Sequence, residues 1–159
     1  MIQTHDHLPE ATLHCRGPQG LDGCTISELT ADQRVVLFAV PGAFTPTCSD
    51  AHVPGFLTLN DEIRAQGIDE IVCVSVNDPF VMKFWAEHLG VGAAIRFLSD
   101  GNGMFTRSIG MERDMSGGAM GMRSKRYAMI VENGEIQWLG VDESGLQNSS
   151  AESVLAALS

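Results

Sequence analysis

The apolar run Val35-Val36-Leu37-Phe38-Ala39-Val40 ends abruptly at Pro41-Gly42. No other feature of the chain constrains its fold as tightly. An apolar run of that length before a Pro/Gly turn reads as a buried strand. Beyond Thr45-Pro46-Thr47-Cys48 the period changes. Val53, Phe56, Leu59 and Ile63 fall on one face of a helix spanning 48–66, and Gly67 supplies a C-cap. Pro54 lies inside that helix and should bend it or loosen its first turns. A thiol therefore stands where a strand hands over to a helix. Unpaired N–H groups and the positive end of the helix dipole at such a place favour a thiolate.

The rest of the chain repeats this alternation. Ile71–Val76 reads as a second buried strand, and Asp78-Pro79 as the N-cap and first residue of a helix carrying Phe80, Val81, Phe84, Trp85 and Leu89. A short strand at 95–98 and a helix at 103–110 follow. Tyr127–Val131 and Ile136–Val141 form a hairpin around Asn133-Gly134, and Ser149 or Ser150 caps a last helix. Residues 10–15 read as a short strand, 17–23 as a loop, and the Met- and Gly-rich stretch 111–122 as a mobile loop. The order implies an α/β layer fold of the thioredoxin type, with a central mixed sheet flanked by helices. With 159 residues and no internal repeat or linker, we expect a single domain over 1–159.

Charge and cysteine usage narrow the function. The net charge of −10 disfavours nucleic acid and anionic membrane surfaces as partners. No apolar stretch approaches the ~20 residues of a membrane span. The first residues carry neither a basic region nor an apolar core, so they do not read as a secretory signal. The four cysteines, at 15, 24, 48 and 73, form no C-x-x-C pair. We expect reduced thiols and a cytoplasmic protein.

Thr45 occupies the place that the first thiol of a C-x-x-C pair would take ahead of Cys48. A dithiol shuttle within the motif is therefore excluded. A hydroxyl beside a thiolate suits a small polar substrate, and a hydroperoxide fits: the thiolate attacks one oxygen while donors receive charge on the other. Thr45 and backbone N–H groups at the helix start are candidate donors. Pro41, which has no N–H, would wall off water. A cation is also needed. Arg126 and Arg123 are both candidates, and spacing does not choose between them.

Pro41, Thr45 and Cys48 match the P-x-x-x-T-x-x-C signature of the peroxiredoxins. The string Val40–Ser49 resembles their type-II/type-5 branch, as do His52–Phe56, Ser75–Met82 and Arg123–Tyr127. The resemblance implies a thioredoxin fold and reduction of hydrogen peroxide and small alkyl hydroperoxides. It makes Cys48 the peroxidatic nucleophile, with Thr45, Pro41 and Arg126 around it. Arg126 matches the arginine that the family places before an aromatic residue. The resemblance further implies no metal or organic cofactor and a homodimer. It implies recycling by glutathione and glutaredoxin, or by thioredoxin.

After attack Cys48 would be a sulfenic acid awaiting a second thiol. The C-terminal stretch Gly145–Ser150 has no cysteine where animal-type members of the branch carry a resolving one. Cys73 is the remaining resolving candidate. It stands three residues from the end of its strand, and at ~3.3 Å per residue this places it roughly 10 Å from the site. That exceeds the ~7 Å reach of a disulfide without backbone movement. An external thiol is the favoured route. Cys15 and Cys24 read as core residues, and His5, Asp6 and His7 as a solvated terminus. His52, four residues after Cys48, either touches the site edge or is structural. Two rivals stand beside the peroxidase reading: a thiol–disulfide oxidoreductase of the same fold, and a redox-sensing or holdase-like module without catalysis.

Overall fold

The computed structural model describes all residues, 1–159. Seven strands form one sheet: β1 (Thr12–Gly17), β2 (Gly20–Thr25), β3 (Arg34–Val40), β4 (Glu70–Ser75), β5 (Arg96–Ser99), β8 (Arg126–Glu132) and β9 (Glu135–Asp142). Their spatial order is β2-β1-β5-β4-β3-β8-β9. β3, β4 and β5 run parallel, as strands joined by helical crossovers must. β1, β2, β8 and β9 are added antiparallel at the two sides. The sheet is thus mixed, in the thioredoxin-like arrangement expected.

Strand period divides the apolar residues between two layers. Val36, Phe38 and Val40 of β3 face one side together with Ile71 and Cys73 of β4 and Ala128 and Ile130 of β8. Val35, Leu37 and Ala39 face the other with Val72, Val74, Tyr127, Met129 and Val131. The first layer is covered by α2 (Val53–Thr58), α3 (Asn60–Ala65), α4 (Pro79–Leu89) and α6 (Ala151–Leu158). The second is covered by α1 (Ile26–Thr30) and α5 (Met104–Ser108). Asp78 caps α4 by accepting from the Val81 N–H at 2.9 Å, and Ser150 caps α6, both as the sequence indicates.

Three expectations need correction. The stretch 17–23 is not a loop. A two-residue turn at Pro18-Gln19, with Gly20 at φ +120°, returns the chain as edge strand β2. Its residues, Gly-Leu-Asp-Gly-Cys-Thr, carry too little apolar character to read as a strand, because an edge strand need bury little. The stretch 111–122 is not a bare loop either. β6 (Glu112–Asp114) pairs with β7 (Met122–Ser124) around a 3₁₀ turn at Ser116–Gly118. Finally, the helix over 48–66 is three pieces. A π-helical turn at Cys48–His52 precedes α2, and Leu59, with φ −97° and ψ 11°, separates α2 from α3. Pro54 follows this π-helical turn in a backbone already helical from Pro46, and the widened turn ahead of it is the loosening expected of a proline inside a helix.

Candidate active site

β3 delivers the chain to Pro41, and the backbone turns helical at Pro46. The Ser49 N–H donates to the Thr45 carbonyl at 2.9 Å, which places Cys48 in the first turn. Between them Phe44 adopts φ +65°, a left-handed conformation that a bulky side chain takes only under constraint. Part of the constraint is Asn77, just past β4. Its Oδ1 accepts from the Ala43 N–H at 3.0 Å and from the Ser75 hydroxyl at 2.6 Å. The loop is tied to the neighbouring parallel strand.

Cys48 is fully buried. Nη2 of Arg126 donates to its sulfur at 3.2 Å. Arg126 opens β8 and points into the Cys48 layer with Ala128 and Ile130 two and four residues on, as strand alternation requires. A hydrogen bond involving a charged group contributes about 1.5–3 kcal/mol. A helix terminus contributes about 0.3–1 kcal/mol. Arg126 is therefore the stronger of the two groups acting on this sulfur. Arg123 does not contact Cys48. Its Nε donates to the Met120 carbonyl at 2.8 Å.

His52 holds the arginine. Its Nδ1 lies 2.8 Å from Arg126 Nη1, and its Nε2 lies 2.8 Å from the Ser149 carbonyl. Arginine only donates and a carbonyl only accepts, so the imidazole carries its proton on Nε2 and accepts at Nδ1. Burial, and then the Arg126 charge, push its pKa down to about 3. Ser149 is in turn fixed by Asp142, which accepts from the Ser149 N–H and hydroxyl and from the Gln147 and Asn148 N–H groups. Burial raises the Asp142 pKa, but these hydrogen bonds outweigh it and hold the carboxyl below its ordinary value. Cys48, Arg126, His52, Ser149 and Asp142 thus form one connected network. The spacing of His52 signals its membership. Ser149 and Asp142 carry no local signal.

Thr45 stands at the site with its roles reversed from expectation. Its hydroxyl donates to the Gly42 carbonyl at 2.7 Å, so what remains for a ligand is a lone pair. Pro41, Thr45 and Arg126 line a cavity of about 290 Å³, together with Arg113, Met115 and Met120. The Cys48 sulfur lies behind this wall, one hydrogen bond from Arg126. Cys73 sits mid-strand in β4, fully buried in the same apolar layer as Cys48. Its pKa is well above the ordinary thiol value, raised first by burial and then by the Cys48 charge. All four cysteines are free thiols. No group of three or more His, Cys, Asp or Glu is placed to hold a metal ion, and no helix is long and apolar enough to cross a membrane.

Residues 3–155 match the Redoxin family model. Peroxiredoxin-2E of Arabidopsis thaliana, a chloroplastic protein, is 48% identical over 99% of this chain and 69% of its own length. Among solved structures, reduced Prx3 of Vibrio vulnificus in complex with hydrogen peroxide aligns over 100% of both chains. Its TM-score is 0.96 and its identity 47%. Peroxiredoxin 5 of Alvinella pompejana aligns over 99% of this chain and 98% of its own, with TM-score 0.87 and 31% identity. The sulfur–arginine pair at a strand-to-helix junction thus belongs to a chain of the redoxin family, a peroxiredoxin of the type-II/type-5 branch and a thiol peroxidase.

Proposed function

We propose that Cys48 is the nucleophile of a peroxidase acting on hydrogen peroxide and small alkyl hydroperoxides. The observation that carries this reading is the Arg126 guanidinium at 3.2 Å from a buried sulfur behind the Thr45–Pro41 wall. The Cys48 thiolate attacks one peroxide oxygen and the O–O bond breaks. The departing oxygen takes the electron pair and then a proton, leaving water or an alcohol, and Cys48 becomes a sulfenic acid. Arg126 donates to the oxygen that gains charge. The Thr45 lone pair accepts the peroxide O–H. Pro41 offers no N–H to hold a competing water.

The sulfenic acid is resolved from outside. Glutathione attacks it, water leaves, and a mixed disulfide forms. Glutaredoxin then takes the glutathionyl group and frees the Cys48 thiol. The high pKa and full burial of Cys73 support this route, because a thiol that does not ionise is a poor nucleophile. The protein would work as a single-domain homodimer in the cytoplasm, where a glutathione pool keeps its thiols reduced.

A parallel peroxidase assay tests the reading, with glutathione and glutaredoxin in one arm and thioredoxin in the other. Cys48→Ser should abolish turnover and Cys73→Ser should retain it. Thioredoxin alone sustaining the wild-type rate would overturn the proposed reductant. A stoichiometric Cys48–Cys73 disulfide by mass spectrometry would overturn external resolution. Insulin reduction without peroxide turnover would overturn the peroxidase reading for this chain.

A further inference from the structure

The cavity in front of Cys48 is much larger than hydrogen peroxide needs. At about 290 Å³ it approaches the ~300 Å³ lower end of small-molecule sites. A single water occupies about 30 Å³ of the liquid. Its outer wall is built by the β6–β7 hairpin, and that hairpin carries an unusual pair. Arg113 and Arg123 are direct cross-strand partners. Like charges directly opposite on a ladder repel, and a two-stranded sheet has little with which to offset this.

No carboxylate relieves the pair. The protein has 20 acidic residues, yet its ion pairs engage Lys83, Arg96, Lys125 and two histidines, and neither of these arginines. Asp142 also lines the cavity, but its two oxygens are taken up by four donors. Asp114 is turned to the Ser116 N–H and hydroxyl. Arg123 spends only Nε, on the Met120 carbonyl, and its Nη1 lies 3.4 Å from the point where a Cβ on Gly42 would stand. That point is itself 3.3 Å from Thr45 Cγ2, so the free end of Arg123 reaches the Gly42–Thr45 loop from the neighbouring pocket that it lines with Arg107 and Glu112, without an ion pair to Glu112. Arg113 makes no side-chain hydrogen bond and lines the cavity itself. Both arginines are half-buried.

We propose that Arg113 and Arg123 form a carboxylate-binding subsite at the mouth of the Cys48 cavity. Its ligand is a small molecule carrying a carboxylate within a few bonds of the sulfur or peroxide that meets Cys48. Guanidinium forks match carboxylate geometry. A bound anion would also relieve the repulsion between the two arginines. The subsite rests on the Cys48 reading only for its orientation. An anionic thiol such as glutathione and an anionic hydroperoxide share this chemistry.

Binding and kinetics separate the possibilities. In Cys48→Ser protein, titration calorimetry with S-methylglutathione and with its diethyl ester reads the subsite without any turnover. The acid form should bind about tenfold more tightly than the ester, and Arg113→Gln or Arg123→Gln should remove that difference. Equal affinity of acid and ester, or a difference that survives both substitutions, would overturn recognition of the thiol. Stopped-flow rates with a carboxylated hydroperoxide and with neutral tert-butyl hydroperoxide give the peroxide arm. The ratio of the two rates should fall about tenfold in either variant if the anion arrives on the peroxide. Ratios unchanged in both arms would sink the subsite while leaving the peroxidase reading intact. Loss of turnover on peroxides of every charge in the wild type would sink that reading, with the calorimetric result standing on its own.

Discussion

His52 shows how much one side chain can decide. Four residues after Cys48, it accepts from Arg126 and donates to Ser149, and it is kept neutral by burial and by the arginine. A folded pKa near 3 against an ordinary 6.5 means the unfolded chain binds a proton that the folded chain refuses. Stability is therefore complete above the ordinary value and is lost as pH falls from about 6.5 toward 3, at up to ~1.4 kcal/mol per pH unit. Asp142 is held below its ordinary carboxylate value by its hydrogen bonds, so its contribution is complete above that value and is lost as pH falls from it toward the depressed one. Gln at position 52 cannot ionise and offers one acceptor and one donor. We expect His52→Gln to flatten the dependence of the urea midpoint on pH between 6.5 and 4.5. Parallel wild-type and variant curves in that window would show that His52 does not set the acid limit. His52→Ala should lower kcat/KM about tenfold or more through misplacement of Arg126, with peroxide consumption as the readout.

At the scale of elements, the long apolar strands and the capped helix α4 were legible because local chemistry decides them. Val35–Val40 and Ile71–Ser75 are buried on both faces, and Asp78-Pro79 is a self-contained start signal. Spacing left the choice between Arg123 and Arg126 open, because it depends on which strand each enters, and only the resemblance pointed to Arg126. The partner of Arg126 was hidden for a different reason. Counting back from the Asn133-Gly134 turn pairs Arg126 with Val141, but a bulge after Ile130 slips the register by one and brings Asp142 opposite instead. No local motif announces that slip. A second long-range contact supports the same corner. A Cβ on Gly140 would stand 2.0 Å from the Asn148 carbonyl oxygen, so the 145–149 segment lies directly on β9. We expect Gly140→Ala to cost more than ~2 kcal/mol and to reduce activity, since the displaced segment carries the Ser149 carbonyl that His52 needs. A thermal midpoint and rate indistinguishable from wild type would refute this.

The molecule as a whole carries an aromatic patch that its own core does not use. Phe44, Phe80 and Phe84 are 51%, 46% and 58% exposed. Phe44 lies on the Cys48 loop, with its ring 5.6 Å from His88 and 6.3 Å from Trp85 of α4. Exposed aromatic clusters of this kind mark association surfaces. We expect the proposed homodimer to pair through this face. Phe84→Glu should then shift the protein from dimer to monomer in sedimentation velocity, with the fold retained by circular dichroism. A variant that sediments as the wild type would place the interface elsewhere. Because Phe44 sits in a strained backbone conformation beside the nucleophile, such a partner would also steady the catalytic loop.

The two halves of the reacting pair are mounted very differently. Arg126 belongs to a strand flanked by β3 and β9, whereas Cys48 opens a single π-helical turn that runs straight into a proline. Interior strands yield last and irregular turns yield first. Any rearrangement that lets a bulky reductant reach the oxidised sulfur would therefore carry the sulfur outward and leave the guanidinium in place. The charge that assists oxidation would not follow it, so the bond to oxygen and the bond to the reductant's sulfur would form in different electrostatic surroundings, the first beside a fixed cation and the second in open water.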